Sequence, residues 1–213
     1  MLPAVDLTLF LPFLEQHQLI LTPGKRLARD ITRSWVTRQQ CHSSVVVTPR
    51  VEALDGWLER MWHECIELGR LPGLRLLSHQ QELVLWQQII KEDIASLDGF
   101  SLIHPRAAAS RAKIARDRLL MFQADRLDGL WGHFQFDEDC IVFARWAQRF
   151  DQRLSQLSAT TRYDAYQQLL TTSDVKKEAI GLYAVPQPAP LTQRVLEHLC
   201  QVTFLEPLCR QLD

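Results

Sequence analysis

Gly24 and Lys25 follow a short apolar segment, and a glycine-lysine pair after a strand is one way in which proteins bind nucleotide phosphates. A P-loop also has a glycine five residues before this glycine, and serine or threonine after the lysine. Here those positions are Leu19 and Arg26. The chain therefore lacks the glycine-rich turn whose backbone N–H groups converge on phosphate oxygens, and we expect no ATP hydrolysis.

Cysteine and histidine do not have the spacings that metal sites or nucleophilic sites require. The five cysteines are odd in number and include no CxxC pair, which predicts neither a disulfide framework nor a zinc site. The seven histidines are scattered as well, and the sequence has no HExxH, GxSxG or GxGxxG motif. We therefore predict no catalytic residue, no metal ligand and no cofactor.

Cations are concentrated between residues 20 and 50, where six lysines and arginines face one aspartate, a local charge of +5. Arg26, Arg29 and Arg33 share one face of a predicted helix. Lys25 and Arg26 lie at its N-terminus, where the helix dipole disfavours each cation by about 0.3–1 kcal/mol. A bound phosphate would offset that cost, so this face is a candidate DNA contact. A solvated basic face is the alternative interpretation.

A second basic stretch covers residues 106–126, with six cations and two acids and a local charge of +4. Arg111 and Arg118 are seven residues apart, so they lie on the same side of a helix. Such a side suits phosphate contacts that are salt-dependent and independent of base sequence. Because Asp117 lies among these cations, a lattice of surface salt bridges is the alternative.

The elements that position these residues follow from the apolar pattern. Strands are predicted at 18–22, 43–48, 179–185 and 202–205, and helices at 24–40, 51–68 and 191–201. Alternating strands and helices predict parallel strands in an α/β core. The six tryptophans fall mostly on predicted apolar stripes, which favours core packing over base stacking.

The middle of the chain has a helical pattern throughout. Ser78 and Gln81 form a predicted capping box, a helix is predicted at 107–122, and Asp137 caps another. A shorter helix is predicted at 163–170. We therefore predict a helix-rich α/β fold with a core made of 1–77 and 171–213, and an all-helical insertion over 78–170.

Residues 22–31 resemble motif Ia of superfamily 1 helicases, whose usual form is T-F-T-N-K-A-A-R-E-M, with Thr22, Ala28 and Arg29 matching. Residues 47–50, followed by apolar residues at 54 and 58, resemble the helicase segment T-F-H-S-L. In these helicases motif Ia contacts single-stranded DNA. The DNA-contacting residues predicted from the resemblance and the charge pattern together are Thr22, Lys25, Arg26, Arg29, Arg33, Arg111 and Arg118.

Residues 182–193 resemble the Walker B segment of the same helicases, L-V-D-E-F-Q-D-T-N-x-x-Q. Gln187 and Gln193 match, but Ala184 and Val185 replace the two acids that hold magnesium and activate water. Neither side chain can coordinate a cation or accept a proton. The resemblance implies a degenerate motif II and an inactive ATPase, whereas a strand before a proline-rich turn is the alternative interpretation.

A helicase-like frame without its nucleotide motifs resembles the N-terminal region of AddB-type and related bacterial DNA-repair proteins, which precedes a RecB-like nuclease domain. Residues 77–86 and 143–146 also resemble that group, and the likeness covers nearly the whole chain. It implies an incomplete RecA-like (P-loop NTPase-like) core, a non-catalytic role in DNA repair and recombination, and a nuclease domain or partner subunit. The chain would then be a fragment of a longer protein.

Two other functions are compatible with the sequence. One is a protein-interaction scaffold without DNA or ATP binding, which docks a partner through the helical insertion. The other is an α/β enzyme with an unfamiliar site, although no residue spacing demands one. The sequence has a net charge of −1 and no apolar run long enough to span a membrane. We therefore expect a cytoplasmic protein with no membrane partner.

Overall fold

The computed structural model describes residues 6–41, 45–95, 104–123, 137–173, 177–185 and 187–205. Helices and strands alternate in the described residues except between β3 and β4, where helices follow one another. In order they are α1 (Leu11–Glu15), β1 (Leu19–Thr22), α2 (Lys25–Gln40), β2 (Val51–Ala53), α3 (Leu54–Glu67), β3 (Arg75–Leu76), α4 (His79–Ala95), α5 (Pro105–Gln123), α6 (Glu138–Gln156), β4 (Ala159–Thr160), α7 (Arg162–Leu169), β5 (Glu178–Tyr183), α8 (Pro190–Leu199) and β6 (Cys200–Leu205).

The chain forms two compact units. The sheet unit consists of residues 1–64, 172–188 and 193–213, and the helical unit consists of 65–171 and 189–192. The predicted division into 1–77 with 171–213 and 78–170 differs from these limits at residues 65–77, 171 and 189–192. Among the helices that the structure describes, none has the length and apolarity to cross a membrane.

The sheet unit is built on four strands in the order β2-β1-β5-β6. Each neighbouring pair is parallel, with Ile20 beside Val51 on one side of β1 and beside Gly181 on the other. The prediction of a helix-rich α/β fold with parallel strands is confirmed. Strand β1, in the interior of this sheet, is buried along its whole length, as expected for a parallel sheet that is covered on both faces.

The second strand does not lie where the sequence predicted it. Residues 45–50 are outside any strand, residues 42–44 lie outside the described residues, and β2 begins only at Val51. Val45 and Val47 are 79% and 62% exposed. Strand preference of β-branched residues reflects their fit to a half-buried pleated surface, and these valines have no such surface.

One face of the sheet packs on α1 and α2. Phe10, Ile20, Ile31 and Trp35 lie in a single buried cluster there, with Tyr183 at its margin. The side chains on this face are large enough that β5 needs a glycine beneath them. A Cβ atom added to Gly181 would lie 2.7 Å from Cδ1 of Leu205 and 3.2 Å from the Phe13 ring.

The helical unit has its own core between α4, α5 and α6. Trp86 stacks on Phe150 with ring centroids 4.3 Å apart, and both side chains are fully buried. The predicted capping box is confirmed, since Gln81 N donates to Ser78 Oγ and Ser78 N donates to Gln81 Oε1. Asp137 caps α6 as predicted and accepts hydrogen bonds from two backbone N–H groups.

The prediction that residues 78–170 are all-helical was wrong, because strand β4 lies within them. β3 and β4 form a two-stranded parallel sheet, in which Arg75 pairs with Ala159 and Leu76 with Thr160. Two residues per strand are too few to give a periodic pattern in the sequence. The pairing also joins positions that are far apart in the chain, so local sequence carries no signal for it.

Candidate nucleic-acid interface

The carboxyl ends of β1 and β5 form the point at which the strand order reverses. From β1 the chain passes through α2 to β2 on one side, and from β5 it passes through α8 to β6 on the other. α2 packs on the face that carries Ile20, whereas a groove beside α8 is lined by Val202 and Phe204 of the opposite face. Open parallel sheets bind their ligands in the crevice at such a reversal.

The N-terminus of α2 lies at this edge and is not capped by a side chain. Its N-cap residue, Gly24, has an extended backbone and offers no capping oxygen. The first turn of α2 also contains no acidic residue. The first N–H groups of a helix have no partner within the helix, so this end carries a partial positive charge that suits an anion.

Four exposed cations follow that N-terminus. The structure places Lys25, Arg26, Arg29 and Arg33 on the outside of α2, while Ala28, Ile31 and Trp35 are buried on its inner side. None of the four cations has a side-chain hydrogen bond or an ion pair among the residues that the structure describes. The last cation of the stretch, Arg50, differs, because it pairs with Glu178.

Thr22 occupies a different position from the other predicted contacts. Its side chain is fully buried, with its hydroxyl 3.1 Å from the carbonyl oxygen of Gly24 and 3.2 Å from that of Glu52. The hydroxyl therefore holds the turn that leads from β1 into α2. Its contribution to a DNA site is to position the α2 N-terminus rather than to touch a ligand.

The segment that resembles motif II lies at the same edge of the sheet, because Leu21 pairs with Leu182. Ala184 follows β5 directly, is exposed and has a φ of +57°. Val185 is half-buried and Gln187 is exposed. Gln193 lies further on in α8, where its Nε2 donates to Glu197 Oε1 at 2.8 Å. Residues 184 and 185 thus present only a methyl and an isopropyl group at this edge.

The second basic stretch separates into buried and exposed cations. Lys113 is buried, with Nζ 3.0 Å from Glu82 Oε2 and 2.6 Å from Asp117 Oδ2. Arg116 is also buried and paired with carboxylates. Arg111 and Arg118 are exposed on α5 and have no ion pair with any described residue. Arg111 and Arg118 are therefore available to a ligand in solution, as is the exposed Arg106 at the start of α5.

Arg116 is the centre of a buried network. Its Nη2 lies 2.7 Å from Asp151 Oδ1 and 2.9 Å from Asp164 Oδ2, and its guanidinium carbon lies 5.2 Å from the centre of the Phe150 ring. Burial lowers the pKa of Arg116, but Asp164 and Asp151 outweigh that effect and raise it. Burial likewise raises the pKa of Asp151, against the effect of Arg116.

A cavity of about 410 Å³ lies beside this network. Its polar lining includes Asp151, Asp164, Thr160 and Gln168, and among its described lining residues there is no histidine, cysteine or lysine. Both carboxylates already accept hydrogen bonds from Arg116. We interpret the ion pairs of Arg116 with Asp151 and Asp164 as structural contacts that join α5 to α6 and α7.

Cysteine chemistry and metal binding find no support in the part of the chain that the structure describes. No three His, Cys, Asp or Glu side chains there are grouped as metal ligands. Burial, with a smaller contribution from Glu178, raises the pKa of Cys200 to about 12. A thiol with such a pKa stays protonated at neutral pH and is a poor nucleophile.

No protein-family model matches the sequence, and no curated protein is similar to it at a significant level. Functional interpretation therefore rests on the residues themselves. The structure brings Lys25, Arg26, Arg29 and Arg33 together on one helix, and it places Arg111 and Arg118 on another. Sequence reasoning missed the exposed apolar side chains beside that second pair, although their helical spacing from Arg111 was visible.

Proposed function

We propose that this chain is a non-catalytic, helicase-like module of a cytoplasmic DNA repair and recombination protein. It binds single-stranded DNA weakly through the phosphate backbone and presents it to a nuclease, which is either a domain of the same protein or a partner subunit. In this proposal the sheet unit is an incomplete RecA-like core that has lost ATP hydrolysis.

The observation that carries the proposal is the group of exposed cations around the uncapped N-terminus of α2. Lys25, Arg26, Arg29 and Arg33 have no carboxylate partners among the described residues, so their charge is available to a polyanion. Their position beside the reversal point of the sheet is where parallel sheets bind ligands. Phosphate contacts of this kind read no base sequence.

The residues of the motif II-like segment lack the groups that ATP hydrolysis requires. Ala184 and Val185 provide no oxygen for magnesium and no base for water. Leu19 and Arg26 stand where a P-loop would have glycine and a hydroxyl residue. The module would therefore act by holding DNA, and any nuclease activity would belong to another part of the assembly.

Anisotropy of a fluorescent single-stranded oligonucleotide, titrated at about 50 and 200 mM salt, tests the proposal. Four phosphate contacts at a slope of about 0.7 each weaken binding roughly 50-fold over this range. The double variant Arg26→Ala/Arg29→Ala leaves two contacts and should weaken by only about 7-fold. Absence of binding at the lower salt concentration would refute DNA binding by this chain.

A matched control separates local contacts from net charge. Arg60→Ala/Arg153→Ala also removes two exposed positive charges, but these arginines already pair with Glu52, Glu64 and Glu92. This control should bind DNA like the wild type. An equal loss in both double variants would show that only the overall charge matters, which contradicts a site on α2.

A protein-interaction scaffold is the second candidate, and a groove in the helical unit favours it. The groove has a volume of about 490 Å³ and lies between α5 and α6, with Ala108, Ala112, Val142 and Phe143 among its lining residues. Charge reversal with Arg26→Glu/Arg29→Glu distinguishes the two functions. A scaffold would keep its affinity for a protein partner and show no DNA-dependent phenotype, whereas the DNA-binding module would lose DNA.

A further inference from the structure

One face of α5 combines exposed cations with exposed apolar side chains. Arg111, Ile114, Arg118 and Phe122 fall within an arc of roughly 80° when successive residues are 100° apart around the axis. Ile114 is 47% exposed and Phe122 is 54% exposed. Cationic and apolar groups alternate along this stripe, which we call the α5 stripe.

Neither Arg111 nor Arg118 of the α5 stripe forms an ion pair with a described residue, although Asp139 lines the same groove as Arg111. Asp117, the acid on this helix, is bonded to Lys113 at 2.6 Å, and both point away from the stripe into the protein. Asp151 and Asp164 are engaged by Arg116 on the buried side. The outer side of α5 therefore presents positive charge, which is complementary to a polyanion.

The spacing along the α5 stripe fits a strand of nucleotides. Arg111 and Arg118 are about 10 Å apart along the helix, at 1.5 Å per residue. A stacked strand rises by about 3.4 Å per nucleotide along its axis, so the separation of Arg111 and Arg118 along α5 corresponds to the rise of about three nucleotides. Phe122 lies one turn beyond Arg118 and exposes an aromatic ring at the end of that span.

We propose that the α5 stripe is a single-stranded nucleic-acid surface on which Phe122 stacks against a base while Arg111 and Arg118 bind phosphates. Ile114 contacts the sugar or base between them. This inference rests on the proposed function and extends it from phosphate binding to base contact. Aromatic stacking accepts any base, so the surface binds without sequence preference.

A phospholipid surface fits the α5 stripe less well. A helix that lies on a membrane separates a broad apolar face from its cations. When the α5 stripe is viewed along the helix axis, both cations lie between the two apolar side chains. The opposite side of the helix, with Ala109, Ala112 and Leu120, is buried in the protein. Bases and phosphates alternate along one strand in the same manner as the side chains.

The test compares an oligodeoxythymidine with an abasic oligonucleotide of equal length, titrated with the full chain. The wild-type protein should prefer the strand with bases by roughly 5- to 150-fold, the range given by one stacked base. Phe122→Ala should remove this preference and leave binding to the abasic strand unchanged. Phe122→Leu keeps the apolar bulk and should also lose most of the preference.

Variants of Arg111 and Arg118 test the phosphate contacts, and a variant of Val84 is the control. Arg111→Ala/Arg118→Ala should weaken binding to both strands and lower the salt slope by about 1.4, the share of two phosphates. Val84→Ala removes a side chain of similar exposure, 53%, from α4 and should change neither affinity. Circular dichroism of each variant verifies that the helices are intact.

The outcomes separate this inference from the proposed function. Equal affinity of the wild type for both strands overturns base stacking. Binding that depends on Arg26 and Arg29 but not on any α5 variant overturns the α5 stripe and keeps the proposed function. No binding to either strand removes both. Phe122-dependent binding to anionic phosphatidylserine vesicles, without a preference for bases, would replace the nucleic acid with a lipid surface.

Discussion

Replacing Arg116 with alanine is expected to lower the free energy of unfolding by about 3–5 kcal/mol, because the change leaves carboxylates without their cation in a buried site. The Arg116 side chain is 9% exposed, and it bonds Asp151 at 2.7 Å and Asp164 at 2.9 Å. Asp164, which is 20% exposed, would carry most of the cost, since the half-exposed Asp151 can be solvated. The lost packing on Phe150 adds to it.

Urea unfolding followed by far-ultraviolet circular dichroism measures this effect. At a slope of about 2 kcal/mol per molar urea, a loss of about 4 kcal/mol lowers the midpoint by about 2 M. Arg153→Ala is the control, because its pair with Glu92 is exposed on both sides and contributes at most about 1 kcal/mol. A loss below 1 kcal/mol for Arg116→Ala, or equal losses in both variants, would refute the argument from burial.

Three further changes test other parts of the structure. Ala184→Gly should stabilise the protein by about 1 kcal/mol, because φ is +57° there, and Gly69→Ala at φ +67° should destabilise it by a similar amount in urea unfolding. Thr22→Val removes the hydroxyl that holds the turn into α2, so it should cost about 1 kcal/mol of stability in the same assay. Burial raises the pKa of Asp93, but Arg145 and Trp146 outweigh burial and hold the pKa below the ordinary value of an aspartate, so the stability that the ionised carboxylate contributes should be lost as the pH falls below about 4. Asp93→Asn should narrow the difference in urea midpoint between pH 7 and pH 3, and an unchanged difference would contradict that pKa.

Helix limits could be predicted because the signals that set them are local. Ser78 and Gln81 cap α4 through each other, and Asp137 caps α6 through the next residues along the chain. β2 could not be placed in this way, because its position depends on pairing with Ile20, thirty-one residues earlier than Val51. β3 and β4 pair across eighty-four residues of chain, from Arg75 to Ala159, so no single segment of sequence indicates them.

In the candidate site, too, features that local sequence sets could be predicted, and features that depend on distant residues could not. Exposure of Arg26, Arg29 and Arg33 follows from helical periodicity, since Ile31 on the opposite side is buried. Burial of Arg116 does not, because its partners Asp151 and Asp164 belong to other helices. A cation and its distant carboxylate look like two surface charges until the fold brings them together.

The pairing of β3 with β4 also has a consequence for the order in which the chain can assemble during synthesis. β5 must pair with β1, but it leaves the ribosome only after residues 23–177 have been made, an interval of roughly 8–30 seconds at ordinary rates. If β3 and β4 pair during that interval, they shorten the loop that later separates Leu21 from Leu182. The shorter loop lowers the entropic cost of closing the sheet by about 0.7 kcal/mol. The two residues of β3 and the two of β4 would thereby hold the ends of the intervening helical segment together until β5 is made and pairs with β1.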